Sequence, residues 1–108
     1  MKKFDALEVA LQLVQALREP LEELQRRERD LAGQARRAAT SVALNVAEGG
    51  RRTGRDRNHQ FKIAAGSASE VGAALRIAEA WGYLDGASLG PINDLLDRLG
   101  AMLYRLAR

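Results

Sequence analysis

Apolar residues recur at alternating steps of three and four along most of this chain, and that spacing admits little except helices. Leu7, Ala10, Val14, Leu17, Leu21 and Leu24 form one seam. Phe61, Ala64, Ala68, Val71, Leu75 and Ala78 form another, and Ile92, Leu95, Leu99, Met102 and Leu106 a third, widened by Leu96 and Leu103. Residues spaced this way share one face of an α-helix, so each seam predicts an amphipathic helix packed against a core. No period-two pattern competes, because β-branched and aromatic residues are few and scattered.

Residues 34–49 read as a further helix of a different kind. Ala35, Ala38, Val42 and Val46 give it a narrow apolar face of small side chains. Gln34, Ser41, Asn45 and Glu48 form a second, polar stripe beside it. Ser and Asn compete for backbone hydrogen bonds and are mediocre helix formers, so helix propensity did not put them there. Gly49 and Gly50 read as the left-handed stop that ends many helices.

The breaks between seams follow from turn chemistry. The first helix runs from about Asp5 to about Arg27, and Pro20 within it predicts a kink or a division into two pieces. The mixed charges from Arg26 to Asp30 read as a short turn, with Asp30 as N-cap of the next helix. Gly49, Gly50 and Gly54 interleaved with Arg51, Arg52 and Arg55 read as a loop, after which Asp56 can cap the third helix. Trp81 and Gly82 end that helix, and Ser88 is the expected N-cap of the fourth, with Leu89, Gly90 and Pro91 in its first turn. Four helices joined by short connections predict an all-α fold, an antiparallel up-down-up-down four-helix bundle, as a single domain over residues 1–108.

Composition narrows the chemistry. The chain has no cysteine, hence no disulfide, thiolate ligand or thiol nucleophile, which suits a reducing, cytoplasmic setting. Basic residues near the N-terminus are followed at once by Asp5 and Glu8, a pattern of neither a secretory leader nor a membrane span. His59 sits beside Arg57 and Lys62 on the expected surface of the third helix, where a histidine is ordinarily solvated. Glu48 and Glu70 are too far apart on the hairpin to make a metal site of the di-iron bundle kind. The glycine-rich segment after Gly49 follows a helix and lacks a Gly-Lys-Ser/Thr ending, so it is no phosphate loop. These features predict no enzyme, no cofactor and no metal.

Several residues carry a resemblance. Gln34, Arg36-Arg37-Ala38-Ala39, Ser41, Asn45, Ala47-Glu48-Gly49, Ala65-Gly66-Ser67, Glu70 and Gly82-Tyr83-Leu84 resemble the bacterial four-helix-bundle family encoded in intervening sequences of large-subunit ribosomal RNA genes. That family includes accessory proteins of diversity-generating retroelements. The resemblance spans essentially the whole chain, and the Ser41 to Gly49 core is its most specific part. The family's common form has a proline after the serine; Val42 and Ala43 stand here instead, which predicts a straighter helix. The resemblance implies ring-like homo-oligomers, pentamers among them, no enzymatic activity, and, from the accessory relatives, binding of nucleic acid and of a protein partner.

Two readings of the polar stripe remain open. An antiparallel hairpin turning near Arg52 pairs positions that sum to roughly 105, which puts Ser41 near Ala64, Asn45 near Gln60 and Arg36 or Arg37 near Glu70. Gln34, Ser41, Asn45, Glu48, Ser67 and Glu70 then either form a hydrogen-bonded network fixing register or a subunit contact, or line a ligand site. The charges give a second expectation. Net charge is only +3, from 17 Lys+Arg and 14 Asp+Glu, but up-down-up-down topology gathers Lys2, Lys3, Arg51, Arg52, Arg55, Arg57, Arg105 and Arg108 at one end. A ring of subunits would repeat that end into one cationic face suited to the phosphates of RNA or DNA, with Arg36 and Arg37 as further contacts. The alternatives are solubilising surface charge and a protein adaptor. No stacking aromatics are interleaved with the arginines; Phe61 is expected in the core, and Trp81 and Tyr83 as packing at the opposite end.

Overall fold

The computed structural model describes residues 5–108, and among them it contains four α-helices, one 3-10 turn and no strand. Helix α1 spans Asp5–Arg27, α2 Arg29–Arg51, α3 Gly54–Ala80 and α4 Gly90–Leu106, with the 3-10 turn at Gly86–Leu89. Each helix packs on its successor and α4 returns to α1, which closes an antiparallel bundle around one core. The molecule measures 42 × 23 × 19 Å.

The seams explain this packing. Leu13, Leu17 and Leu24 of α1, Phe61 and Leu75 of α3, and Leu99 and Leu103 of α4 are fully buried, whereas α2 contributes only Ala, Val and Gly to the interior. Bulk from three helices thus fills against a small-residue fourth, so the α2 backbone can approach closely. No polar side chain among the described residues is fully buried.

The ends of the elements depart from expectation in instructive ways. Pro20 does not divide α1, which runs unbroken to Arg27 because buried Leu17, Leu21 and Leu24 anchor the segments on both sides of it. The link to α2 is Glu28 alone, whose N–H donates to Leu24 O at 2.7 Å while its carbonyl accepts from Ala32 N at 3.1 Å. Glu28 is therefore the N-cap, and Asp30 lies within the first turn, where its charge still complements the helix dipole. Likewise Thr53, not Asp56, precedes α3, and Asp56 sits in the first turn. Ser88 belongs to the 3-10 turn. Asp85 caps that turn by accepting from Ala87 N at 3.1 Å, and α4 starts at Gly90 behind Leu89.

Gly49 and Gly50 do not stop α2, which continues to Arg51. Gly49 is present for another reason: a Cβ there would stand 2.6 Å from Cε1 of Phe61 and 2.8 Å from its Cδ1. The left-handed residue at this turn is Gly54, the first of α3, with φ +62°. At the far end of α3 the sequence reading holds. Gly82, φ +81°, donates to Glu79 O at 2.9 Å and Tyr83 N donates to Ala78 O at 2.8 Å, the paired bonds of a Schellman motif.

Candidate nucleic-acid interface

The α2–α3 connection is only Arg52 and Thr53, so Arg51, Arg52 and Arg55 crowd within one tight turn. Glu48, one turn back on α2, organises two of them. Arg52 Nε donates to Glu48 Oε2 at 2.7 Å, and Arg51 Nη1 lies 3.7 Å from Oε1. The hydrogen bond from Arg52 and its charge, aided by Arg51, hold the Glu48 carboxyl below its ordinary value of 4.5. Arg52 also reaches Asp56 Oδ2 at 3.8 Å. Arg55 is exposed and makes no ion pair among the described residues.

The start of α3 adds fixed charge to this turn. Thr53 makes no side-chain cap, so the first N–H groups of α3 have no side-chain acceptor from it. They carry the positive end of the helix dipole to the same place as the arginines. Glu48 and Asp56, the latter in that first turn, offset part of this charge.

Arg57 plays a different part from its neighbours. Its Nη1 donates to Leu106 O at 3.1 Å, and its guanidinium lies 4.9 Å over the Phe61 ring. It is half-buried and ties the middle turn to the end of α4. Arg105 and Arg108 of that end are exposed, and Arg108 stacks on Tyr104 at 5.5 Å. The middle turn and the C-terminus thus share one end of the bundle. Lys2 and Lys3 lie outside the described residues.

Arg36 and Arg37 stand apart. They lie about 20 Å down α2 from Arg51 by helical rise, and Arg36 Nη1 donates to Gln25 Oε1 of α1 at 3.3 Å rather than approaching Glu70. The six arginines read as one interface therefore divide into Arg51, Arg52 and Arg55 at the tip, Arg57 as a brace, and Arg36 and Arg37 on the flank.

The polar stripe is smaller than expected. Ser41 Oγ and Ser67 Oγ are 2.9 Å apart across α2 and α3, and Asn45 Nδ2 donates to Ser41 O at 2.9 Å and to Ser41 Oγ at 3.0 Å. Ser41 meets Ser67 instead of Ala64 because Ala64 faces the core, while the two serines flank the seam. Asn45 bonds back within its own helix and does not reach Gln60. Glu48 turns to the arginines, and exposed Gln34 and Glu70 make no side-chain hydrogen bond among the described residues. The triad is only half-buried, so it marks a helix seam with one side toward solvent.

Sequence reasoning missed one feature at the opposite end. Trp81, expected to pack there, is 71% exposed and stacks on half-buried Tyr83 with ring centroids 6.3 Å apart. Its place after the last seam residue, Ala78, was the available signal. No helix among the described residues is long and apolar enough to cross a membrane.

No curated protein matches the chain. Among solved structures, a protein of unknown function from the S23 ribosomal protein family of Bacteroides thetaiotaomicron has a similar fold. The TM-score is 0.84 at 19% identity, over 95% of this chain and 98% of that one. A family model, described as the 23S rRNA-intervening sequence protein, matches residues 2–105, which is nearly the whole chain. With its bundle architecture and the Ser41 to Gly49 core, this chain belongs to the 23S rRNA-intervening sequence protein family.

Proposed function

We propose that this chain is a non-enzymatic, self-assembling bundle protein that holds RNA or DNA weakly and without sequence preference through its arginine-bearing end. The observation that carries the reading is the convergence of Arg51, Arg52 and Arg55 with Arg105 and Arg108, braced by the Arg57 bond to Leu106. Guanidinium groups bind phosphate bidentately, and contacts to the backbone need no base readout. The uncapped start of α3 adds backbone donors to the same surface. A closed ring of subunits, a pentamer as the family resemblance suggests, would repeat this surface about its axis.

The test replaces exposed cations outside the Arg57 brace and the Arg52–Glu48 hydrogen bond. Arg51, Arg55, Arg105 and Arg108, all changed to Gln, leave the Arg57 brace and the Arg52–Glu48 pair in place. Binding of a mixed-sequence single-stranded RNA at low salt is expected to fall steeply, and the salt slope to lessen by about 3, since each lost phosphate contact removes about 0.7. Unchanged binding would refute the assignment of this end. A second reading, an adaptor for another protein, draws on exposed Trp81 and on Ile77, 47% exposed one turn earlier. Absence of RNA binding by the unmodified protein at low salt would favour it.

A further inference from the structure

We propose that the outward face of α2 on one copy seats in the groove between α3 and α4 of the next, so that one heterologous interface, repeated head to tail, builds the assembly. This rests on the self-association proposed above and specifies which surfaces carry it.

The groove encloses about 1030 Å³, and small residues make its floor: Ala65, Ala68 and Gly72 of α3 and Gly100 of α4. A Cβ at Gly100 would meet nothing within 4 Å, so the trough is open there. A floor stripped of side chains leaves room for a projecting one. Leu44 projects from α2 with 64% of its surface exposed, in a stripe that also carries Arg29, Gly33, Arg37, Thr40 and Ala47.

Charge supplies the argument for a second copy as the occupant. Two contacts relate heights within a protomer: Ser41 lies against Ser67 across α2 and α3, and Gly72 against Leu96 across α3 and α4. Antiparallel helices advance at the same rise per residue. Arg29 is therefore level with Glu79, Arg37 with Val71 and hence Asp97, Thr40 with Ala68 and hence Gly100, and Leu44 with Ala64 and hence Tyr104. Rotation about an axis along the bundle leaves heights unchanged. The α2 face of one copy then presents Arg29 to Glu79, Arg37 to Asp97, Thr40 to Ala68 and Gly100, and Leu44 to Ala65 and Tyr104. All of these partners line the groove. Its two other cations, Lys62 and Arg76, come level with Val46 and Ala32, whose side chains are buried in their own protomer. The same symmetry keeps every arginine-bearing end on one side of the assembly.

The masses of the full-length protein and of two variants, measured in solution by light scattering, test this. The unmodified chain is expected to associate, and Leu44→Asp and Gly100→Trp each to give a monomer of unchanged helical content. A one-to-one mixture of those variants is expected to form a dimer, because one retains a working groove and the other a working α2 face. A monomeric unmodified chain would overturn the self-association reading itself. An assembly that survives both substitutions, or a mixture that stays monomeric, would overturn this interface and leave self-association standing. As a check independent of steric filling, Arg37→Asp should weaken association about tenfold or more, and adding Asp97→Arg should restore it. Failure of that restoration also counts against the interface.

Discussion

Glu48 shows how a residue chosen for one role serves another. Read from the sequence it belonged to a polar stripe with Ser41 and Asn45, but its carboxylate goes to Arg52 and Arg51 at the end of its own helix. Because its folded-state pKa is lowered, the pair adds stability above the ordinary carboxylate value of 4.5 and loses it as pH falls through the lowered value. Arg52→Ala should return the Glu48 titration, followed by carboxyl NMR, toward its ordinary value; an unmoved titration would contradict the pairing. The stability effect should be small, since both groups are largely in water. Gly49 makes a sharper case. Ala is the better helix former by about 1 kcal/mol, yet Gly49→Ala should destabilise by roughly 1 to 3 kcal/mol through overpacking against Phe61. Gly66→Ala, where a Cβ meets nothing within 4 Å, should instead stabilise by up to about 1 kcal/mol. Paired thermal melts check both signs. Gly49 was misread in the sequence because Gly after a helical run signals a stop, while the ring that requires it is Phe61 on the next helix.

At the scale of elements, the seams foretold all four helices, because burial of Leu and Val at steps of three and four outweighs local preferences. Pro20 is the clearest instance, since an interior proline left α1 whole between buried Leu17 and Leu21. Boundaries were less legible. Asp30, Asp56 and Ser88 each have an N-cap's chemistry, but each lies inside an element whose start is set by a very short link or by Asp85. The α2–α3 seam was legible as a hairpin but not in its details, because only flanking hydroxyls, not core-facing positions, can meet across it. Ser41→Ala removes one of the two acceptors of Asn45 and the partner of Ser67, and should cost about 1 kcal/mol in chemical denaturation. Combining it with Ser67→Ala should cost less than the sum of the two single changes, as shared hydrogen bonds require. Strict additivity would mean that the two hydroxyls do not interact.

Over the whole molecule, topology converts a modest charge surplus into a polar arrangement. The net charge is only +3, yet the short α2–α3 connection and the Arg57 bond to Leu106 bring the cations of two distant segments to one end. That convergence was legible from the order of the helices alone. The use of Arg57 as a brace was not, since nothing local to Arg57 names a carbonyl 49 positions later. The brace also gives the end its rigidity: Arg57→Ala should loosen the C-terminal turn of α4, seen as faster amide exchange at Ala107, whose N–H donates to Leu103 O at 2.9 Å. In the function proposed above, this end grips phosphate backbones by charge. Its most direct test is the affinity of the unmodified protein for a mixed-sequence single-stranded RNA across a salt series. Binding is expected at low salt and should weaken linearly on logarithmic axes, by about 0.7 for each phosphate contacted. No binding at low salt, or an affinity indifferent to salt, would contradict it.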